Sequence, residues 1–284
     1  MATKKRRRLK KGAKLILIIL AAVLIGLLGL LAWNLRPAKS PAAAVTPEPT
    51  AEPATPEPTP DLVPDWLDIG TAEAKYRIFR QDHEINSEVK AYVYFTSGLI
   101  EQPVVQSSDN SKYLTVNWED MSYRSYGSAF MDYRNNPEID ENIIIYGHYV
   151  YERRSPNDRT LMFTPLARLR DEGVYPDNRM VVLMTEDHLY GYELAYVYDC
   201  PLVPTEYGDM AREDLQFNLT EYDSDYFAAY TKAIEGVQLY DTGVEIADGE
   251  RMLSLQTCIE WHEESRQIAV CRQIFTMDIP EEWR

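Results

Sequence analysis

Between residues 91 and 275 the chain is broken into short runs rich in Val, Ile and Tyr. They lie at residues 91–95, 143–146, 180–184, 194–198, 237–240, 252–255 and 267–275. Turn-forming residues separate them, which is the pattern of strands rather than of long helices. Only two stretches read as helix. Residues 71–81 set Ala72, Tyr76 and Phe79 at helical spacing. Residues 224–235 put Phe227, Tyr230 and Ile234 on one face, with Asp223 or Ser224 as the cap. Many short strands with few helices between them predict a mostly β barrel or sandwich, not a βαβ fold.

The N-terminal part has a different composition. Residues 1–14 carry eight Lys or Arg, and residues 15–33 then run 19 positions without a charge. At about 1.5 Å per residue, a helix of that length nearly spans a hydrocarbon core of roughly 30 Å. The run is longer than the apolar region of a cleaved signal peptide and ends at Trp33, a residue favoured at membrane interfaces. An uncleaved transmembrane helix with a cytoplasmic basic tail is therefore expected. Residues 34–64 are rich in Pro, Ala, Thr and Glu, bury no core, and read as an extended linker outside the membrane. Residues 65–284 are then the folded domain.

The formal net charge is −16, and without the basic tail 21 Lys and Arg face 45 Asp and Glu. That balance excludes a nucleic-acid partner, which calls for a basic footprint. Three cysteines, Cys200, Cys258 and Cys271, leave at least one thiol unpaired. Cys200 and Cys271 read as small buried residues; a disulfide between them is permitted only by the count. His83 and His188 lie in polar, turn-like sequence and read as solvated.

Three residues have the makings of a site. Cys258 ends the strand-like segment Leu-Ser-Leu-Gln-Thr-Cys. It reads either as a small buried residue or as a nucleophile at a strand end. Arg266 follows eight residues later and opens the next β run. A hairpin would bring it to Cys258, where a guanidinium lowers a thiol pKa and balances an oxyanion; the alternative is a surface Arg paired with Glu263 or Glu264. His148 ends the apolar run Ile-Ile-Ile-Tyr-Gly-His, as a general acid or base or as a structural imidazole. His262, in the loop beside Cys258, competes with His148 as base. Cys258 and His262 alone do not complete a tetrahedral metal set.

Taken in order, Tyr146-Gly-His148, Thr257-Cys258 and Arg266 resemble the sortase signature. Further stretches resemble class B of that family. They are Pro-Val-Val-Gln ending at Gln106, the segment from Asp109 to Leu114, the segment from Gly127 to Asn135, and the late helix at 224–235. The resemblance covers roughly residues 70–277 and implies a sortase-like closed β-barrel with an N-terminal helix and a helix between late strands. Gln256 stands where a small hydroxyl residue is more frequent, and Tyr149 where Asn is common. The loop at 151–160 carries Arg153, Arg154 and Arg159.

The resemblance implies a membrane-anchored cysteine transpeptidase that uses neither metal nor cofactor. Its partners would be sorting-signal peptides of exported surface proteins and an amine of the cell wall or of a pilin-like subunit. Cys258 would attack the carbonyl of a Thr in the signal, Arg266 would hold the developing oxyanion, and His148 would exchange the protons. Asn110, Leu114 and Gln256 would contact substrate. A hydrolytic cysteine protease and a non-catalytic anchored binding domain are the rival classes.

Overall fold

The computed structural model describes residues 63–150, 162–201, 218–259 and 262–284. The expected cytoplasmic tail, the transmembrane helix at 15–33, nearly all of the linker and the loop at 151–160 lie outside the described residues. Among the described residues no helix is long and apolar enough to cross a membrane.

Eight strands close into one barrel: β1 (Val89–Phe95), β2 (Glu101–Val105), β3 (Phe130–Met131), β4 (Asn142–Tyr146), β5 (Met180–Met184), β6 (His188–Pro201), β7 (Met252–Ile259) and β8 (His262–Asp278). Around the barrel they run β1-β2-β3-β4-β7-β8-β6-β5, and β5 pairs back onto β1. Two pairs are parallel, β2 with β3 and β4 with β7.

Helix α1 (Ile69–Ile85) is four residues longer at its C-terminus than the spacing of Ala72, Tyr76 and Phe79 suggests, and two longer at its start. Those three side chains are its buried stripe, and the Asp68 carboxylate accepts the Thr71 N–H at 2.6 Å as N-cap. Helix α2 (Ser224–Glu235) matches the sequence reading in both bounds. Asp223 caps it by accepting the Tyr226 N–H, and Phe227, Tyr230 and Ile234 are buried.

The apolar side chains form three clusters. The first fills the barrel with Val93, Phe95, Ile143, Ile145, Leu183, Leu253, Leu255 and their neighbours. A second lies between α1 and the barrel wall and includes Tyr76, Phe79, Tyr92, Phe130 and Trp283. The third packs α2 on Tyr198, Ile268 and Val270. Alternation along β8 explains the split: Ala269 and Cys271 point into the barrel, Ile268 and Val270 towards α2.

Two readings of the secondary structure need correction. Residues 237–240 are not a strand: they form a turn after α2, joined to the sheet by the bridge Tyr198–Gln238 and by the Leu239 N–H donated to the Val197 carbonyl at 2.8 Å. The strands β2 and β3 were not expected, because Pro103 interrupts one and the other is two residues long. His83 also differs from the reading: it lies within α1, half-buried, with Nδ1 2.7 Å from the Val89 carbonyl. His188 opens β6 with its Nδ1 2.7 Å from a Glu138 carboxylate oxygen.

Candidate active site

β4 and β7 run side by side and parallel, with Tyr146 the register partner of Gln256. The Gly147 N–H extends the ladder by donating to the Gln256 carbonyl at 3.0 Å. His148 and Cys258 therefore each stand two residues beyond the same rung, at the C-terminal ends of neighbouring strands. On the other side of β7, Cys258 is the register partner of Arg266 in β8, and the register shifts directly after Cys258. A bulge at a strand end re-aims the chain locally. The hairpin expected between Cys258 and Arg266 is thus present. His262, expected in a loop, has its backbone at the first position of β8, opposite Ile259.

Three contacts fix His148. Its carbonyl accepts the Phe163 N–H at 3.3 Å, and the preceding Gly147 packs closely against the Phe163 ring. A Cβ at 147 would sit 2.5 Å from Phe163 Cγ, so a larger residue would push the aromatic ring away. Nε2 of the imidazole lies 3.0 Å from the Leu114 carbonyl oxygen. Partial burial pulls the His148 pKa below the ordinary imidazole value. The Leu114 carbonyl opposes this by favouring the charged ring, and the Arg266 cation lowers it further. Arg266 is half-buried, and its guanidinium donates to the Ser265 carbonyl at 3.1 Å.

The three expected substrate contacts have different surroundings. Leu114 is 41 % exposed beside His148, a position open to a bound peptide. Asn110 uses both ends of its amide inside the protein. Its Nδ2 donates to Asp132 Oδ2 at 2.9 Å, and its Oδ1 accepts the Tyr133 N–H at 2.9 Å. Gln256 is 2 % exposed, and its main chain carries the link to Gly147.

Asp132 was not singled out from the sequence, because two of its partners, Asn110 and Tyr146, lie 22 and 14 residues away along the chain. It is fully buried. Arg134 grips it with Nε and Nη2, both at 2.8 Å, and the Tyr146 hydroxyl donates to it at 2.9 Å. Burial alone would raise the Asp132 pKa, but the hydrogen bonds from Arg134, Asn110 and Tyr146 outweigh it and hold the carboxyl below its usual value. Tyr146 precedes His148 by two residues, so the network braces the strand that presents the imidazole.

Cys200 and Cys271 are both fully buried, as expected, in different apolar clusters. Cys271 is a free thiol, so no bridge joins the two. Burial pushes its pKa well above that of an ordinary thiol.

No family model matches the chain. It is 25 % identical to sortase B of Listeria monocytogenes over 181 residues, 63 % of this chain and 66 % of that protein. It is 25 % identical to sortase B of Staphylococcus aureus over 198 residues, 69 % of this chain and 74 % of that protein. The fold is similar to that of Clostridium perfringens sortase B, with a TM-score of 0.56 at 25 % identity over 69 % of this chain and 99 % of the other. A Staphylococcus aureus sortase B–substrate complex superposes with a TM-score of 0.57 at 18 % identity, over 74 % of this chain and 95 % of the other. A sortase B complexed with triglycine gives 0.58, also at 18 %. The closed eight-stranded barrel with few helices is the sortase fold, and these similarities support a class B sortase.

Proposed function

We propose that this chain is a cysteine transpeptidase of the class B sortase type, with Cys258 as nucleophile, His148 as acid and base, and Arg266 as oxyanion partner. One observation carries the assignment: three adjacent strands bring positions 148, 258 and 266 to one end of the barrel.

In the proposed reaction the Cys258 thiolate attacks the carbonyl carbon of a Thr in a sorting signal. The Arg266 guanidinium balances the negative charge that develops on the carbonyl oxygen. The C–N bond breaks, and the departing amine nitrogen takes a proton from the His148 imidazolium. A thioester remains. An incoming amine then gives a proton to His148 and bonds to the same carbonyl carbon, releasing the thiolate. One amide replaces another, so no external energy source enters.

The substrates we propose are sorting-signal peptides of exported surface proteins, with an amine of the cell wall or a pilin-like subunit as acceptor. The substrate and triglycine complexes of related sortases support those classes. Leu114 is proposed as a groove contact. For Asn110 we propose a role through Asp132 and Tyr133 as much as through substrate. We also propose that residues 15–33 anchor the protein with its barrel outside the cell; the basic flank and uncharged run support this.

Incubating the full-length chain with sorting-signal peptides, with and without triglycine, tests the function. A Cys258 acyl adduct resolved by the amine into a new amide is expected. Release of free acid at the same rate with and without amine would identify a hydrolase instead.

A further inference from the structure

Among the described residues, the imidazole of His148 meets a main-chain carbonyl. A carbonyl oxygen only accepts, so the Nε2 held 3.0 Å from the Leu114 oxygen carries its hydrogen in both the neutral and the charged ring. The proton that comes and goes then belongs to Nδ1.

The position of that carbonyl is built. Leu114 closes the short turn Lys112–Leu114, with its N–H donated to the Ser111 carbonyl at 3.2 Å. Against it folds a second turn, in which the Gly127 N–H donates to Arg124 O at 2.8 Å and the Ser128 N–H to Tyr113 O at 2.9 Å. Gly127 has φ +50°, a conformation L side chains rarely adopt. A Cβ there would lie 2.0 Å from the Tyr113 oxygen and 2.6 Å from both the carbonyl carbon and the carbonyl oxygen of Leu114. Each of these is a backbone atom, so no flexible side chain can give way. The absent side chain at 127 is the space that the His148 acceptor occupies.

We propose that Gly127 and the Leu114 carbonyl together position His148: the carbonyl fixes the Nε2–H tautomer and leaves Nδ1 as the site of proton exchange, and Gly127 sets where the carbonyl stands. The proposal rests on the transpeptidase reading for its catalytic meaning. As the C–N bond of the signal breaks, the Nδ1 proton moves to the departing nitrogen, which keeps the bonding electron pair. In the second half, Nδ1 takes a proton from the incoming amine as its nitrogen bonds to the thioester carbon and the sulfur leaves as thiolate. Nε2 keeps its hydrogen throughout. Gly127 touches no reacting atom, so it is a positioning residue.

The test is a long-range proton–nitrogen correlation spectrum of the full-length chain labelled with ¹⁵N-histidine, with the His148 signals assigned through His148→Gln. Neutral His148 is expected as the Nε2–H tautomer. In Gly127→Ala the tautomers mix, and kcat for amine transfer falls about a hundredfold with KM little changed, the scale set by misplacing a catalytic group by about 1 Å. A wild-type Nδ1–H tautomer would overturn the proposal. So would a folded Gly127→Ala protein with tautomer and kcat both unchanged.

If Gly127→Ala does not fold, replacing Thr115 by its α-hydroxy acid analogue turns the Leu114 carbonyl into an ester, a weaker acceptor. Mixed tautomers are again expected, and an unchanged tautomer contradicts the proposal. The spectrum needs no substrate. An expected tautomer without any Cys258 adduct sinks the transpeptidase reading alone; an adduct with the reversed tautomer sinks the positioning device alone.

Discussion

Cys258 and Arg266 stand opposite one another where β7 pairs with β8, and the register shifts immediately after them. Directly opposed residues of an antiparallel pair have Cα atoms about 4.5–5.5 Å apart. Arg266 is also the register partner of Cys200 in β6, so one rung crosses three strands with the arginine at its centre. The ladder on both sides of Arg266 holds the backbone that carries the cation, and its charge reaches His148 on the far side of β7.

Replacing Arg266 by Gln is expected to raise the His148 pKa. Burial and the neighbouring cation both disfavour the imidazolium, and only the second cause is removed. A proton NMR titration of the His148 ring checks the direction; an unchanged or lower midpoint contradicts it. The same variant should transfer acyl groups about 10²–10³-fold more slowly, the cost of losing one oxyanion donor.

Arg134→Gln strips a fully buried carboxylate of its bidentate partner. Breaking a buried pair costs about 3–5 kcal/mol, and the partial exposure of Arg134 brings the expectation down to about 2 kcal/mol. Urea unfolding should show a lower midpoint with an unchanged slope. The pH dependence has a definite sign. Asp132 has a folded pKa below its unfolded value, so the folded state binds fewer protons in that range. Its contribution is present above the unfolded value of 3.8 and is lost as pH falls through the folded one. In Arg134→Gln this acid loss should shrink; an acid limb identical to wild type contradicts the assignment.

Cys271 should resist alkylation in the folded protein, because it is fully buried and its thiol is held protonated. Treatment with iodoacetamide at about pH 8, near the ordinary thiol pKa, followed by peptide mapping, is expected to label Cys258 while Cys271 reacts only after denaturant. Labelling of native Cys271 at the rate of an unfolded thiol would show that the barrel interior is open.

Asp223→Ala removes the side-chain cap of α2 and should cost about 1 kcal/mol. Because α2 supplies no residue to the hairpin that carries Cys258 and Arg266, kcat should stay near wild type. A large loss of activity at full stability would mean that the helix takes part in substrate handling.

Much of this was legible in the sequence where local physics and tertiary packing agree. α2 reads correctly because its cap and its apolar face mark one segment. The hairpin between Cys258 and Arg266 reads correctly because two β runs flank a short polar stretch. Residues 237–240 look like a strand because Val237, Leu239 and Tyr240 are β formers, yet they follow directly on a helix end and pack as a turn. Five residues of β6 were visible out of fourteen, since Gly191 and Glu193 break the apolar run; Glu193 is kept in the strand by Arg179 and Arg272. Asp132 and the Leu114 carbonyl were not legible as parts of the site. One depends on partners distant in sequence, and the other is a backbone atom that no residue type announces.

The central claim is that Cys258 forms a thioester in which His148 and Arg266 take part. Intact-mass and peptide-level mass spectrometry of the full-length chain, mixed with a panel of sorting-signal peptides and quenched before amine is added, measures it directly. The account predicts an acyl adduct on Cys258 that is absent in Cys258→Ala, strongly reduced in His148→Ala and Arg266→Ala, and little changed in His262→Ala. Adduct-free Cys258 with every peptide, or full activity in Cys258→Ala, would contradict it.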